Sequence, residues 1–126
     1  MAKASKGFTL VEVLIALGIF FTLLVTLSVL FFTSIQTNLL TRHITAATGL
    51  AQDKLEELQN TAYAQLASGA DASLLTATRG TTNGIFTRRW TVASGPVTGT
   101  QVLTVIVAWP DAGGRQVQLQ TIRATS

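Results

Sequence analysis

The stretch of sequence that decides the fold is VLIALGIFFTLLVTLSVLFF, residues 13–32, an uncharged and predominantly apolar run. At about 1.5 Å per residue, a helix of this length spans roughly the 30 Å hydrocarbon core of a bilayer. A secretory signal peptide has a shorter apolar region, of about 7 to 15 residues, and ends in a small-x-small cleavage motif. Because no such motif closes this run, it predicts a transmembrane helix.

The charges on either side of the run predict its orientation. Lys3 and Lys6 precede it, and Glu12 is the only charged residue between Lys6 and Arg42. Basic residues favour the cytoplasmic side of a membrane, so we expect the remainder of the chain to face the periplasm or the exterior. These two lysines are part of the net charge of +3, and without them seven cations stand against six anions, so the charge does not predict a nucleic-acid partner.

Helical periodicity continues beyond the apolar run. Apolar residues recur at steps of three and four, while charged residues such as Lys54, Glu56 and Glu57 lie on the other faces. No proline interrupts residues 8–62, which predicts one helix of about fifty residues, with a membrane and assembly part (8–35) and an amphipathic part (36–62). The predicted apolar stripe comprises Leu40, Ile44, Ala47, Ala51, Leu55, Leu58 and Ala62.

The C-terminal part changes to a strand pattern. Residues 63–84 predict a connecting loop with possible short helical turns, and residues 85–126 predict an antiparallel sheet. Its strands are IFTRRWTVA, QVLTVIVAW and QVQLQTIRA, separated by SGPVTG and PDAGGR, with a bulge expected between Leu119 and Ile122. The fold class is therefore α+β, a long N-terminal helix packed on a three-stranded antiparallel β-meander. The residues predicted to face the helix are Phe86, Trp90, Val92, Leu103, Val105, Val107 and Trp109.

The segment KGFTLVE, residues 6–12, resembles the motif of type IV pilins and type II secretion pseudopilins. The resemblance consists of a short basic leader, a glycine, an aromatic residue, a threonine and a glutamate, opening a long apolar helix. In that family a membrane-embedded prepilin peptidase cuts after the glycine and methylates the new N-terminus. The resemblance implies that residues 1–7 are a leader peptide, that cleavage falls between Gly7 and Phe8, and that Phe8 becomes N-methylated.

Glu12 is the second residue to which the resemblance gives a role. A carboxylate inside an apolar membrane helix costs about 2.5 to 3.5 kcal/mol and needs a partner. The resemblance implies that the α-amine of Phe8 on a neighbouring subunit meets Glu12, which makes Glu12 an assembly residue. The alternative is that Glu12 reaches the lipid headgroups near the end of the helix.

The subclass is indicated by two further stretches. LAQDKLEELQ (residues 50–59) and TVIVAWPDAGGRQVQL (residues 104–119) are similar to minor pilins of the PilV type and to minor pseudopilins of the GspI type. Major type IV pilins usually carry a helix proline and a disulfide loop, and major pseudopilins an acidic calcium loop. This chain has no cysteine, and Asp111 has no acidic neighbour, so a minor subunit is favoured.

The resemblance implies a structural minor pilin, anchored in the bacterial inner membrane and then assembled into a fibre with other pilins. One alternative is a minor pseudopilin of a type II secretion system. Another is a competence pilin that binds DNA through Arg79, Arg88 and Arg89, although a solvated strand edge is favoured for the Arg88–Arg89 pair. The remaining alternative, a single-span anchored domain that never polymerises, leaves the motif around Gly7 unexplained.

No catalytic constellation is present in the sequence. Asp53, Glu56 and Glu57 lie beside Lys54 in a pattern typical of a solvated helix face. His43 has no second histidine nearby, which favours a solvated helix residue over a metal ligand. We therefore predict a protein that is not an enzyme and that holds no metal or cofactor.

Overall fold

The computed structural model describes residues 7–77 and 83–125. Its long helix, α1, spans Leu10–Asn60, and a short 3-10 helix follows at Tyr63–Gln65. The strands are β1 (Gly69–Ala70), β2 (Thr87–Ser94), β3 (Thr100–Ala108) and β4 (Gln116–Ala124). The chain divides into a first unit that ends at Leu39 and a second that begins at Leu40, and each is described by itself.

The first unit contains the apolar part of α1. Large hydrophobic side chains from Leu10 to Leu39 are exposed on all sides of the helix, and Gly18 does not interrupt it. The single long helix predicted from the periodicity is confirmed, because 51 consecutive residues are helical.

The second unit packs the remainder of α1 on one face of an antiparallel sheet with strand order β1-β2-β3-β4. The predicted α+β fold is therefore confirmed, with one short strand more than predicted. That extra strand, β1, pairs with β2 through Gly69↔Trp90 and Ala70↔Arg89. Because β1 is only two residues long, it shows no alternation of apolar and polar residues from which a strand could be predicted.

The bulge predicted in the last strand is absent. The pairing of β3 with β4 runs without a break from Thr100↔Ala124 to Ala108↔Gln116. Along β4 the odd-numbered residues are half-buried and the even-numbered ones exposed. The prediction was wrong because Ile122, an apolar residue, faces outward, and Arg123 takes an inward position.

The core lies between α1 and the middle of the sheet. The predicted stripe is right at Ala47, Ala51 and Leu58, but Leu50 is buried as well, whereas Ile44 is 42% exposed. Each fully buried leucine or valine stabilises the fold by about 1.5 to 3 kcal/mol. The buried hydrophobic residues are Ala47, Leu50, Ala51, Leu58, Leu75, Phe86, Leu103, Val105, Val107 and Trp109.

The C-terminal end of α1 is held by a residue of β4. The last turn of the helix contains no basic side chain. Arg123 instead donates from its guanidinium to the carbonyl oxygens of Leu58, at 3.0 Å, and of Thr61. Because the last carbonyls of a helix have no intrahelical partner, this arginine satisfies groups that would otherwise need water. Arg123 thereby joins the end of the helix to the sheet.

Candidate functional site

The N-terminus of α1 is capped by Thr9. The Thr9 hydroxyl oxygen accepts a hydrogen bond from the backbone N–H of Glu12 at 3.3 Å, and the Thr9 carbonyl accepts one from Val13 at 3.2 Å. The spacing Thr9-x-x-Glu12 is that of a capping box, in which the threonine satisfies a free N–H of the first turn. Sequence reasoning missed this role of Thr9, although the spacing alone could have found it.

Gly7 and Phe8 lie ahead of the helix, at the predicted cleavage position. Phe8 is 83% exposed, and Gly7 is exposed as well. A Cβ atom added at Gly7 would meet no atom within 4 Å. Nothing in the described fold therefore requires glycine at this position.

Glu12 lies in the first turn of α1 with an exposed side chain. Within residues 7–77 and 83–125, no hydrogen bond or ion pair reaches its carboxylate, although its backbone N–H is capped. The negative charge is favourable at the positive end of the helix dipole. A shallow groove beside it is lined by Phe8, Glu12, Val13, Ala16, Leu17 and Phe20. The carboxylate thus stands among apolar side chains, open to a partner from outside the chain.

The rest of the apolar helix carries hydroxyl groups that are satisfied internally. Each of these side chains donates to the carbonyl oxygen four residues earlier, at 2.9 to 3.0 Å. The residues concerned are Thr22, Thr26, Ser28, Thr33 and Thr37. By length and composition α1 is long and apolar enough to cross a membrane. Hydroxyls paired in this way expose no free donor to lipid.

The basic pair Arg88–Arg89 is divided between two environments, and the expectation of a solvated strand edge is wrong for Arg88. Its side chain is only 12% exposed. Its guanidinium donates to the Asp71 carboxylate at 2.6 Å and to the Leu50 carbonyl at 3.1 Å. Arg89 is exposed, and Arg79 lies outside the described residues. Only one arginine of the proposed DNA-binding trio is therefore seen to be accessible in the described part of the chain.

Lys54 also departs from the prediction, which placed it on a solvated helix face. It is 7% exposed. Its ammonium lies 3.9 Å from the centre of the Trp90 ring and 2.7 Å from the Glu57 carboxylate. The aliphatic stem is buried at the helix–sheet contact, while the charge is compensated by the ring and the carboxylate. No local pattern indicates the burial of Lys54, because Trp90 is distant along the chain.

Trp90 also contacts the segment that follows α1. Its indole N–H donates to the Ala67 carbonyl at 3.0 Å, and Gly69 lies against its ring so closely that a Cβ there would come within 2.9 Å. The segment predicted as a connecting loop is therefore attached to the sheet in its described part.

His43 is half-buried rather than solvated. Its ring centre lies 6.1 Å from those of Phe86 and Trp109. No group of three or more His, Cys, Asp or Glu side chains able to hold a metal occurs among the residues described. The histidine therefore belongs to an aromatic cluster at the margin of the core.

A family model described as a prokaryotic N-terminal methylation motif matches residues 2–28 of the chain. No curated protein and no solved structure gives a significant match. The matched residues include Gly7, Phe8 and Glu12, and the motif is that of type IV pilin-like prepilins. Together with the α+β arrangement of helix and sheet, the motif supports a prepilin of the type IV pilin or pseudopilin kind.

Proposed function

We propose that the chain is a minor pilin subunit, anchored in the inner membrane, processed by a prepilin peptidase and assembled with other pilins into a type IV pilus. The observation that carries the proposal is the match at residues 2–28, which coincides with a capped helix whose apolar surface is exposed throughout its first unit. A large unburied apolar surface needs lipid or other helices around it. A structural subunit is surrounded by lipid while it is in the membrane and by other helices once it is in the fibre.

In this proposal Gly7 serves the peptidase and not the fold. The space around its Cα is open, so the folded chain would accept a side chain there. The exposed position of Gly7 and Phe8 ahead of the helix leaves the intervening peptide bond accessible to an enzyme. Cleavage after Gly7 and methylation of Phe8 then produce a mature N-terminus that lies one turn before Glu12.

The role proposed for Glu12 is to pair with the amine of Phe8 on a neighbouring subunit. The carboxylate has no partner among the described residues and is surrounded by apolar side chains. An unpaired charge costs about 2.5 to 3.5 kcal/mol at the centre of a membrane helix and less near the helix end, where Glu12 lies. A cationic α-amine supplied by another subunit removes that cost, and it does so only in one register between the helices.

The proposal is tested by mass spectrometry of the N-terminus in sheared surface fibres and in membranes. We expect N-methylated Phe8 in the fibre fraction. Full-length chains in assembled fibres would overturn the proposed processing. If methylated Phe8 were confined to the membrane and periplasm, the proposal of a pilus subunit would be wrong, and a pseudopilin of a secretion system would be favoured.

Glu12→Ala is expected to leave cleavage intact and to lower incorporation into fibres about tenfold, the effect of losing about 1.4 kcal/mol of pairing. The measurement is the ratio of fibre-associated to membrane-associated chain on immunoblots. Glu12→Gln keeps the shape of the side chain without its charge, so an equal loss assigns the effect to charge. Glu56→Ala, on the exposed surface of the second unit, is the matched control. Normal incorporation of Glu12→Ala would contradict the pairing.

A further inference from the structure

The second unit has two ends, which are defined by contacts between α1 and the sheet. At one end the ring centre of His43 lies 6.1 Å from those of Phe86 and Trp109. At the other end Arg123 donates to the Leu58 carbonyl. Because the chain enters the unit just before His43, we call the first of these the entry end.

The exposed apolar side chains of this unit are concentrated at the entry end. Ile44, Leu74 and Ile85 are 42%, 48% and 40% exposed. Each is adjacent in sequence either to a member of the aromatic cluster at this end or to Leu75, which exchanges two backbone hydrogen bonds with that cluster. The other exposed large hydrophobic residues in the described part of the unit are Val97 and Ile122.

A shallow groove at the entry end has an apolar lining. Leu74, Ile85, Trp109 and Pro110 line it, together with the small side chain of Ala108. Among the residues that the structure describes, no charged side chain lines this groove. An exposed apolar surface of this kind is typical of a contact with another macromolecule or with lipid.

The length of chain between the apolar run and this unit favours lipid as the partner. The run predicted to cross the membrane ends at Phe32, and the second unit begins eight residues later, at Leu40. As α-helix, eight residues are about 12 Å long. The headgroup layer on one side of a bilayer is about 5 to 8 Å thick. The end at which the chain enters the unit is therefore the end within reach of the headgroups.

The hairpin between β3 and β4 lies at the same end and carries charge suited to a lipid surface. Its residues 110–115 are all exposed. The Asp111 carboxylate accepts from the Ala112 N–H at 2.8 Å and lies 3.4 Å from the Arg115 guanidinium, so its negative charge is compensated within the hairpin. Arg42, exposed on α1, adds a second cation. Arginine side chains beside an apolar surface match headgroups that carry phosphate.

We propose that the entry end of the second unit contacts the lipid surface of the membrane in which α1 is anchored, through Leu74, Ile85 and Pro110. The inference rests on the membrane anchoring in the proposed function and adds a second lipid contact to that of the apolar helix. Once the helix is inserted, the second contact forms within a complex that already exists. A small apolar surface then suffices, because the effective concentration of lipid at the entry end is high.

The contact is tested with a fluorescent label on single cysteines, which the absence of native cysteine makes specific. The full chain is inserted singly into nanodiscs of phosphatidylethanolamine and phosphatidylglycerol with a nitroxide quencher on the headgroups. A label on Ala112→Cys, in the hairpin of the entry end, is expected to lose emission. A label on Thr98→Cys, in the turn between β2 and β3, is the matched control. We expect it to keep its emission, since the nine residues of β3, about 30 Å, separate the two turns.

Co-elution of the chain with the nanodiscs measures anchoring separately from the contact. Anchored chain that loses emission equally at the two positions, or at neither, would overturn the inference and leave the proposed function standing. Chain that does not co-elute with the nanodiscs would overturn the membrane anchoring, and the inference with it.

A second pair of variants separates contact from mere proximity of the hairpin to the bilayer. Leu74→Gln combined with Ile85→Gln removes the apolar surface, and we expect the loss of emission at Ala112→Cys to be abolished. Val97→Gln combined with Ile122→Gln changes the exposed hydrophobic residues away from the entry end and is expected to retain that loss. Circular dichroism melting of both variants controls for unfolding. If emission is lost equally in the two variants, Leu74 and Ile85 do not make the contact and the inference is wrong.

Discussion

Replacing Gly7 with valine is expected to abolish removal of residues 1–7 while leaving the folded chain unchanged. Cleavage of the wild-type chain is expected to remove seven of its 126 residues and leave 119, whereas the Gly7→Val chain keeps residues 1–7. Cleavage is affected without the fold because no atom lies within 4 Å of a Cβ at Gly7. The added side chain therefore disturbs the contact with the peptidase and not the packing of the chain. Mass spectrometry of the purified chain measures the cleavage, and thermal melting measures the fold.

Gly18→Ala is the matched control for this experiment. Gly18 also has open space around its Cα, but it lies inside α1 and outside the predicted cleavage segment. We expect normal removal of the leader from this variant. If Gly7→Val is cleaved at the wild-type rate, the assignment of the peptidase site is wrong. If both variants fail, the defect lies in membrane insertion and not in recognition of Gly7.

The second large effect is expected at Arg88, and its neighbour supplies the comparison. Arg88→Ala leaves the Asp71 carboxylate, 23% exposed, without its partner and removes the hydrogen bond to the Leu50 carbonyl. Breaking a partly buried ion pair from one side destabilises a fold by about 3 kcal/mol. Arg89→Ala removes an exposed side chain from the same strand, and a change below about 0.5 kcal/mol is expected. Urea denaturation of the two variants measures the difference.

The same pair of variants tests the DNA-binding alternative. DNA binding weakens when an arginine that contacts phosphate is removed, and its affinity falls with salt. Since the Arg88 guanidinium is occupied within the protein, only Arg89→Ala should affect such binding. Equal destabilisation by Arg88→Ala and Arg89→Ala would contradict the structural role assigned to Arg88. DNA affinity that is unaffected by Arg89→Ala would exclude that arginine from any phosphate contact.

The parts of the fold that sequence could predict depend on local patterns. The helix is predicted by a long apolar run followed by an apolar stripe. The strands of the meander are predicted by alternation of apolar and polar residues between turns. The predicted third strand, residues 116–124, coincides with β4 at both ends. The T-x-x-E spacing at Thr9 was equally local and could have been used to place the start of the helix.

The remaining features depend on contacts that no local pattern contains. Arg88 and Asp71 are 17 residues apart, and Arg123 reaches a carbonyl 65 residues away. Lys54 looked like a solvated charge because a lysine beside glutamates usually is one, and its burial depends on Trp90 in another element. β1 forms a strand because its two residues pair with the edge of β2. In each case the deciding partner lies elsewhere in the chain.

The hydroxyls of the apolar helix, which bond to carbonyls of the preceding turn, have a consequence for transfer of the helix out of lipid. None of Thr22, Thr26 and Thr33 must exchange a hydrogen-bond partner when its surroundings change from acyl chains to protein. The helix can also rotate about its axis without breaking such a bond. In the proposed assembly, extraction from the bilayer would exchange one set of van der Waals contacts for another, and Glu12 carries the only charged side chain that this segment brings with it.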